Sequence, residues 1–166
     1  NETCWGVTKY VDAVKKFDNF PVASIQNEYS LLCRLYDTDM NEMSYYENIS
    51  LLAYSPLAGG LLTGKYLNNE MPTDSRITRV STIGDRVNKN AMKAVQEYMK
   101  ISKKFNIHPV HLALSFCTKR PFMGSVIFGA TTDEQLDVVI KGLDVDLNDE
   151  IMKEISLVYK NYALTF

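Results

Sequence analysis

The chain has 166 residues, 46% hydrophobic and 23% charged, the balance of a globular protein rather than a disordered or fibrous one. No apolar run approaches the roughly 20 residues of a spanning helix, and a net charge of −2 gives no basic field for a nucleic-acid backbone, so membrane and nucleic acid are excluded as expected partners. Cys4, Cys33 and Cys117 are scattered and odd in number, which implies neither a disulfide framework nor a zinc site and fits a reducing, cytoplasmic setting.

In chain order, Thr3 reads as an N-cap for a helix whose apolar residues Val7, Tyr10, Val11, Val14 and Phe17 recur at helical spacing. Pro21 then precedes a short buried strand, Val22 to Gln26. A polar stretch from Leu35 to Tyr46 is expected to be helical, and Ile49 to Tyr54 forms the second strand. Ser55-Pro56 and Gly59-Gly60 open a turn, and the aperiodic segment from Tyr66 to Asp85 reads as a long functional loop. Val87, Ala91, Val95, Tyr98 and Phe105 mark a helix, followed by another that starts near Pro109. Ser125 to Phe128 is the third strand, Asp133 to about Lys141 a helix, and Ile151, Ile155, Val158 and Tyr162 line a last helix behind Asn148. His108 and His111 read as surface or capping residues, because no third ligand group stands near them.

Apolar strands separated by helices predict an α/β fold with a parallel, helix-covered sheet. Ligands of such folds bind where the strands end, and here each strand ends in polar or glycine-rich residues: Gln26, Tyr54-Ser55 and Gly129-Ala130-Thr131. The densest stretch is Ala53-Tyr54-Ser55-Pro56-Leu57-Ala58-Gly59-Gly60-Leu61-Leu62-Thr63-Gly64-Lys65-Tyr66. Its glycines permit close backbone approach, and Ser55 and Lys65 supply a hydroxyl and a charge suited to phosphate. A glycine-rich turn beside a surface lysine explains the same residues equally well. Neither a Rossmann nor a P-loop glycine pattern is present.

This stretch resembles the A-Y-S-P-L-x-x-G-x-L-T-G-K-Y signature of the aldo-keto reductase superfamily, in the branch of potassium-channel β subunits and bacterial Tas-like reductases. Asn1-Glu2-Thr3, the block Ser24-Ile25-Gln26-Asn27-Glu28-Tyr29-Ser30-Leu31-Leu32, and Gly129-Ala130-Thr131-Thr132-Asp133-Glu134-Gln135-Leu136 match in order and spacing. The resemblance implies a TIM (β/α)8 barrel and an NADP(H)-dependent enzyme that reduces a small carbonyl substrate, an aldehyde or ketone, to an alcohol. Such a barrel typically takes about 250 residues, and the chain opens on Asn1 rather than Met. Residues 1–166 are thus expected to form the C-terminal half, with the N-terminal half of the barrel absent, whether by truncation or as a natural half barrel.

Residue by residue, Asn1 and Gln26 resemble the pair that bonds the nicotinamide carboxamide, and Tyr54 the aromatic platform under the ring. Ser55, Leu57 and Gly60 resemble the pyrophosphate turn, and Lys65 a phosphate-contacting lysine. Arg76 resembles an arginine at the adenosine phosphate, with Arg79 and Arg86 as alternatives. Gly129, Thr131 and Gln135 resemble the adenosine side, where a helix opening near Thr131 suits the extra phosphate. Val138 and Val139 depart from the family, which commonly places Glu and Asn there to bond adenine. The family's catalytic Asp, Tyr, Lys and His map to no residue of this chain, so the chain alone is expected to be inactive and, with open sheet edges, prone to pair as a homo-oligomer. The alternative is a non-catalytic, cofactor-binding, redox-sensing regulatory subunit on the same fold.

Overall fold

A computed structural model describes residues 1–73, 75–80, 83–142 and 145–166. Asp74, Ser81 and Thr82, which belong to the expected long loop, lie outside the described residues.

Helix α1 (Cys4–Phe17) starts as expected: Thr3 Oγ1 accepts the Gly6 N–H at 3.1 Å, and Val7 and Val11 face inward. Strand β1 (Ser24–Glu28) begins and ends two residues later than the expected 22–26. A short 3-10 turn at Leu35–Asp37 and helix α2 (Asp39–Glu47) replace the single helix expected from Leu35, with the break at Thr38. Strand β2 (Ser50–Tyr54) is followed by 3-10 turns at Ala58–Thr63 and Leu67–Asn69 and by the four-residue helix α3 (Arg76–Arg79), so the expected loop carries local helical turns.

Helix α4 (Lys89–Lys104) is capped by Asn88, and α5 (Pro109–Thr118) by His108, whose Nδ1 accepts the Val110 N–H at 3.2 Å. His111 Nε2 bonds the Val138 carbonyl at 2.7 Å. Both histidines are thereby engaged in helix capping and packing. Strand β3 (Met123–Ile127), α6 (Asp133–Lys141) and α7 (Asp149–Asn161) complete the chain, α7 under the Asn148 cap. No helix among the described residues is long and apolar enough to cross a membrane.

The three strands are parallel and lie in the order β1-β2-β3. A doubly wound sheet reverses strand order at a switch point, whereas consecutive strands laid side by side in sequence order make the arc of a (β/α) barrel. Among the described residues β1 and β3 each pair on one side only.

Register divides the sheet into two faces, because side chains alternate along a strand. Ile25, Leu51 and Ala53 face the main core with α4, α5 and α7, and Leu51 and Ala53 are fully buried. Ser24, Gln26 and Glu28, their partners Ser50, Leu52 and Tyr54, and then Ser125 and Ile127 form the other, more open face. In a closed barrel that face lines the interior.

The turn after β1 is fixed by a charged cluster. Asp37 accepts from Tyr29 Oη at 2.7 Å, Arg34 Nε at 2.7 Å and Arg120 Nη2 at 2.8 Å. Arg34 also lies over the rings of Phe116 and Tyr159. Tyr98 Oη donates to the Leu31 carbonyl and Thr165 Oγ1 to that of Leu32. The backbone leaving β1 is therefore held from α4, from the segment before β3 and from the C-terminal residues.

Candidate functional site

Gln26 and Tyr54, expected to serve the same end of a cofactor, share the open face of the sheet, Gln26 opposite Leu52 and Tyr54 one rung further along. Gln26 is exposed and Tyr54 half-buried. The Tyr54 hydroxyl is pushed above its ordinary range, first by desolvation and then by the nearby Glu28 carboxylate, so it stays a neutral phenol near pH 7. Asn1 is exposed, and its neighbour is anchored: the Glu2 N–H donates to Asn27 Oδ1 at 2.9 Å and Asn27 Nδ2 to the Glu2 carbonyl at 2.8 Å. This pair fastens the residue after Asn1 beside the residue after Gln26.

Beyond Tyr54 the backbone turns sharply, with positive φ at Ser55, Ala58, Gly59 and Gly60. The Ala58 N–H bonds the Ser55 carbonyl, and the N–H groups of Gly60 and Leu62 share the Leu57 carbonyl. At Gly60 φ is +99°, and an added Cβ would lie 3.2 Å from Lys65 Cε and 3.4 Å from Lys65 Nζ. Only glycine leaves that space open beside the ammonium group. At Gly59 a Cβ would meet Ile83 Cγ2 at 2.2 Å and Arg76 Cδ at 3.9 Å. Lys65 and Arg76 therefore flank one glycine turn, and neither forms an ion pair among the described residues. Two cations beside backbone with space for close approach are the chemistry that an anion would require.

Arg86 is different. Its Nε and Nη2 donate to the two Glu28 carboxylate oxygens at 2.8 and 2.6 Å, and its Nη1 donates to the Ile83 carbonyl at 2.7 Å. Bonding to Glu28 raises its pKa further, so it remains a cation. With every guanidinium nitrogen engaged, Arg86 is spent on the protein, and of the three candidate arginines Arg76 adjoins the turn.

At the end of β3, Gly129 meets nothing within 4 Å of a hypothetical Cβ, which leaves its backbone open to a ligand. Thr131 and Gln135 contact each other: the Thr131 N–H and hydroxyl both reach Gln135 Oε1, at 3.0 and 3.3 Å. The cap of α6 is Thr132, whose hydroxyl accepts the Gln135 N–H. The first turn also carries Asp133 and Glu134, and the Glu134 carboxyl is held below its usual range by a backbone N–H and by Thr132. The helix opening, expected to offer free N–H groups to a phosphate, is thus already capped and acidic.

Val139 is buried against Val110 and Leu114, and Val138 packs at the edge of the same cluster. Val139, one of the two residues that depart from the family's adenine-bonding pair, thus packs in the α5–α6 interface. Sequence reading assigned no role to Asn27, Glu28 and Ile83, and it named Arg86 only as an alternative phosphate ligand, not as the partner of Glu28. The one local signal was a carboxylate, Glu28, at the end of an otherwise uncharged strand.

Comparison with known proteins accords with this geometry. The model of the aldo/keto reductase family matches residues 3–160. The protein tas of Escherichia coli is 39% identical over 163 residues, covering 98% of this chain and 47% of that protein. An aldo-keto reductase of Babesia bovis is 37% identical over 82% of this chain and 50% of its own length. A probable voltage-gated potassium channel β subunit of Arabidopsis thaliana is 30% identical over 85% of this chain and 42% of its own. The chain spans about half the length of the curated relatives it matches. A partial barrel of parallel strands in sequence order, with glycine, lysine and arginine gathered where its second strand ends, and a family match over nearly all of its residues place this chain in the aldo/keto reductase family.

Proposed function

We propose that the protein carrying this chain is an NADP(H)-dependent oxidoreductase that reduces aldehydes or ketones to alcohols, and that residues 1–166 supply its cofactor-binding half. The observation that carries this reading is the gathering of Lys65 and Arg76 around the Gly59-Gly60 turn, one step beyond the Tyr54 strand end. The residues fit the cofactor's chemistry. The open backbone at Gly60 admits a pyrophosphate next to Lys65, and Arg76, on the Gly59 side of the turn, suits the adenosine 2′-phosphate through a charge-assisted bond. Gln26 and Asn1 have amide groups complementary to a carboxamide, and the neutral Tyr54 ring offers a flat face to the nicotinamide.

When bound, the reduced nicotinamide supplies a hydride. The part of this chain is to bind and orient: the Tyr54 ring fixes the plane of the nicotinamide, and Gln26 fixes its rotation within that plane. The proton that completes carbonyl reduction comes, in this reading, from outside residues 1–166. The chain by itself is then inactive.

A second reading, a regulatory subunit that binds the same cofactor without fast turnover, draws on the 30% identity to a protein named as a channel β subunit. The two separate in one assay. The full-length protein, given NADPH and 4-nitrobenzaldehyde, is expected to consume NADPH in multiple turnovers. Tight NADPH binding with no turnover above the uncatalysed rate favours the regulatory reading instead.

A further inference from the structure

We propose that Arg86 and Glu28 form a positioning pair that sets the pyrophosphate turn relative to the nicotinamide platform, without touching the cofactor. The inference rests on the cofactor reading above and assigns roles to two residues that this reading leaves unused.

Glu28 ends β1 directly opposite Tyr54 on β2. Its two carboxylate oxygens take both arms of the Arg86 fork, and the two side chains are only 16% and 17% exposed. A bidentate guanidinium–carboxylate pair fixes orientation as well as distance, which a lysine in the same place does not. The third nitrogen of Arg86 holds the carbonyl of Ile83. Ile83 is 2% exposed, and its side chain occupies the space that a Cβ on Gly59 would need. Glu28, Arg86, Ile83 and Gly59 thus make a continuous chain of contacts from the strand that faces Tyr54 to the turn that faces the phosphates. Arg86 also lies 5.3 Å from the centre of the Phe166 ring, which covers the pair further.

The same geometry removes Arg86 from the list of phosphate ligands. A guanidinium neutralised by a carboxylate, with three of its five N–H groups already committed, is a poor ligand for an anion. Arg86 also neutralises Glu28, a carboxylate close to a site for an anionic cofactor.

The test is equilibrium titration of the full-length protein with NADPH and with NADH, for the wild type and for Arg86→Met, Arg86→Lys, Glu28→Gln and the Glu28→Gln/Arg86→Met double variant. Each is measured below its own unfolding temperature. Ile83→Ala probes the same chain of contacts without altering charge, and so decides the matter even where an Arg86 variant does not fold. The expected result is a loss of about tenfold in affinity for both nucleotides alike, with the double variant no weaker than the worse single, as coupled residues behave. Glu28→Gln weakening binding is the most telling part, because removing a negative charge near phosphates would otherwise strengthen it. A loss for NADPH with NADH unchanged in the Arg86 variants overturns the proposal and makes Arg86 a ligand of the extra phosphate. Unchanged affinities in folded variants also overturn it and leave the pair a purely structural one. A wild type that binds neither nucleotide fails the cofactor reading itself, and the inference with it.

Discussion

Glu28 and Tyr54 stand opposite each other on the last rung of the β1–β2 ladder, a carboxylate beside a phenol, and desolvation together with that carboxylate keeps the phenol protonated. What Tyr54 offers a ligand is therefore the face of its ring rather than a charge. Tyr54→Phe is expected to leave nicotinamide affinity within a factor of two or so, whereas Tyr54→Ala forfeits the aromatic contact, about 0.5–1.5 kcal/mol beyond lost area. That is roughly a two- to tenfold loss, read by cofactor titration of the full-length protein. Equal losses for Phe and Ala would assign the role to the hydroxyl instead.

Val139 gives a prediction of the opposite kind. An Asn at this position would restore the residue the family commonly carries, yet the side chain is 5% exposed among Val110, Leu114 and Val138. Burying an amide without partners costs about 1–3 kcal/mol. Val139→Asn is expected to lower the unfolding midpoint and leave NADPH affinity unimproved. Thermal melts and titration check both halves.

Asp37 is the carboxylate on which Tyr29, Arg34 and Arg120 converge, with Asp37 and Arg34 only 12% and 11% exposed. Removing one partner of a buried ion pair leaves uncompensated charge and typically costs about 3–5 kcal/mol. Asp37→Ala is expected to destabilise the protein by that amount in chemical denaturation. Asp37→Glu should recover only part of it, since an extra methylene displaces the three donors.

Alkaline pH should weaken the fold. Burial raises the pKa of Cys117, Tyr29 and Tyr98, and pushes the Cys33 thiol up to about 11 from its ordinary 9. In each case the folded protein retains a proton that the unfolded chain has lost, so stability falls as pH rises past the ordinary values. These contributions are fully present below about pH 9. The unfolding midpoint is expected to hold steady from pH 7 to 8.5 and to drop progressively from 9 to 11. A midpoint that is flat across the latter range would contradict the burial of these groups.

How much of this was legible in the sequence follows from the range of the interactions. Among the described residues periodicity located the three strands and the long helices, but β1 runs two residues past the expected 22–26 because Asn27 and Glu28, polar as they are, continue the ladder opposite Ala53 and Tyr54. For β3 the reverse holds: Phe128, counted as strand by its apolarity, is 38% exposed beyond the last ladder partner, Ile127. Resemblance named Lys65 and Arg76 from local blocks, and the structure brings both to the Gly59-Gly60 turn. The Glu28–Arg86 pair spans 58 residues, and no periodicity or local motif carries a contact of that range. Likewise the burial of Val139 depends on α5, a separate element, and no local pattern carries it.

The most direct test of the cofactor reading is the affinity of the full-length protein for NADPH and NADH, for the wild type and Arg76→Met. One charge-assisted contact to the 2′-phosphate contributes about 1.5–3 kcal/mol, or ten- to a hundredfold. The wild type is predicted to prefer NADPH by at least about tenfold, and Arg76→Met to erase most of that preference while leaving NADH affinity nearly unchanged. Equal affinity of the wild type for the two nucleotides, or no measurable binding of either, would contradict the account.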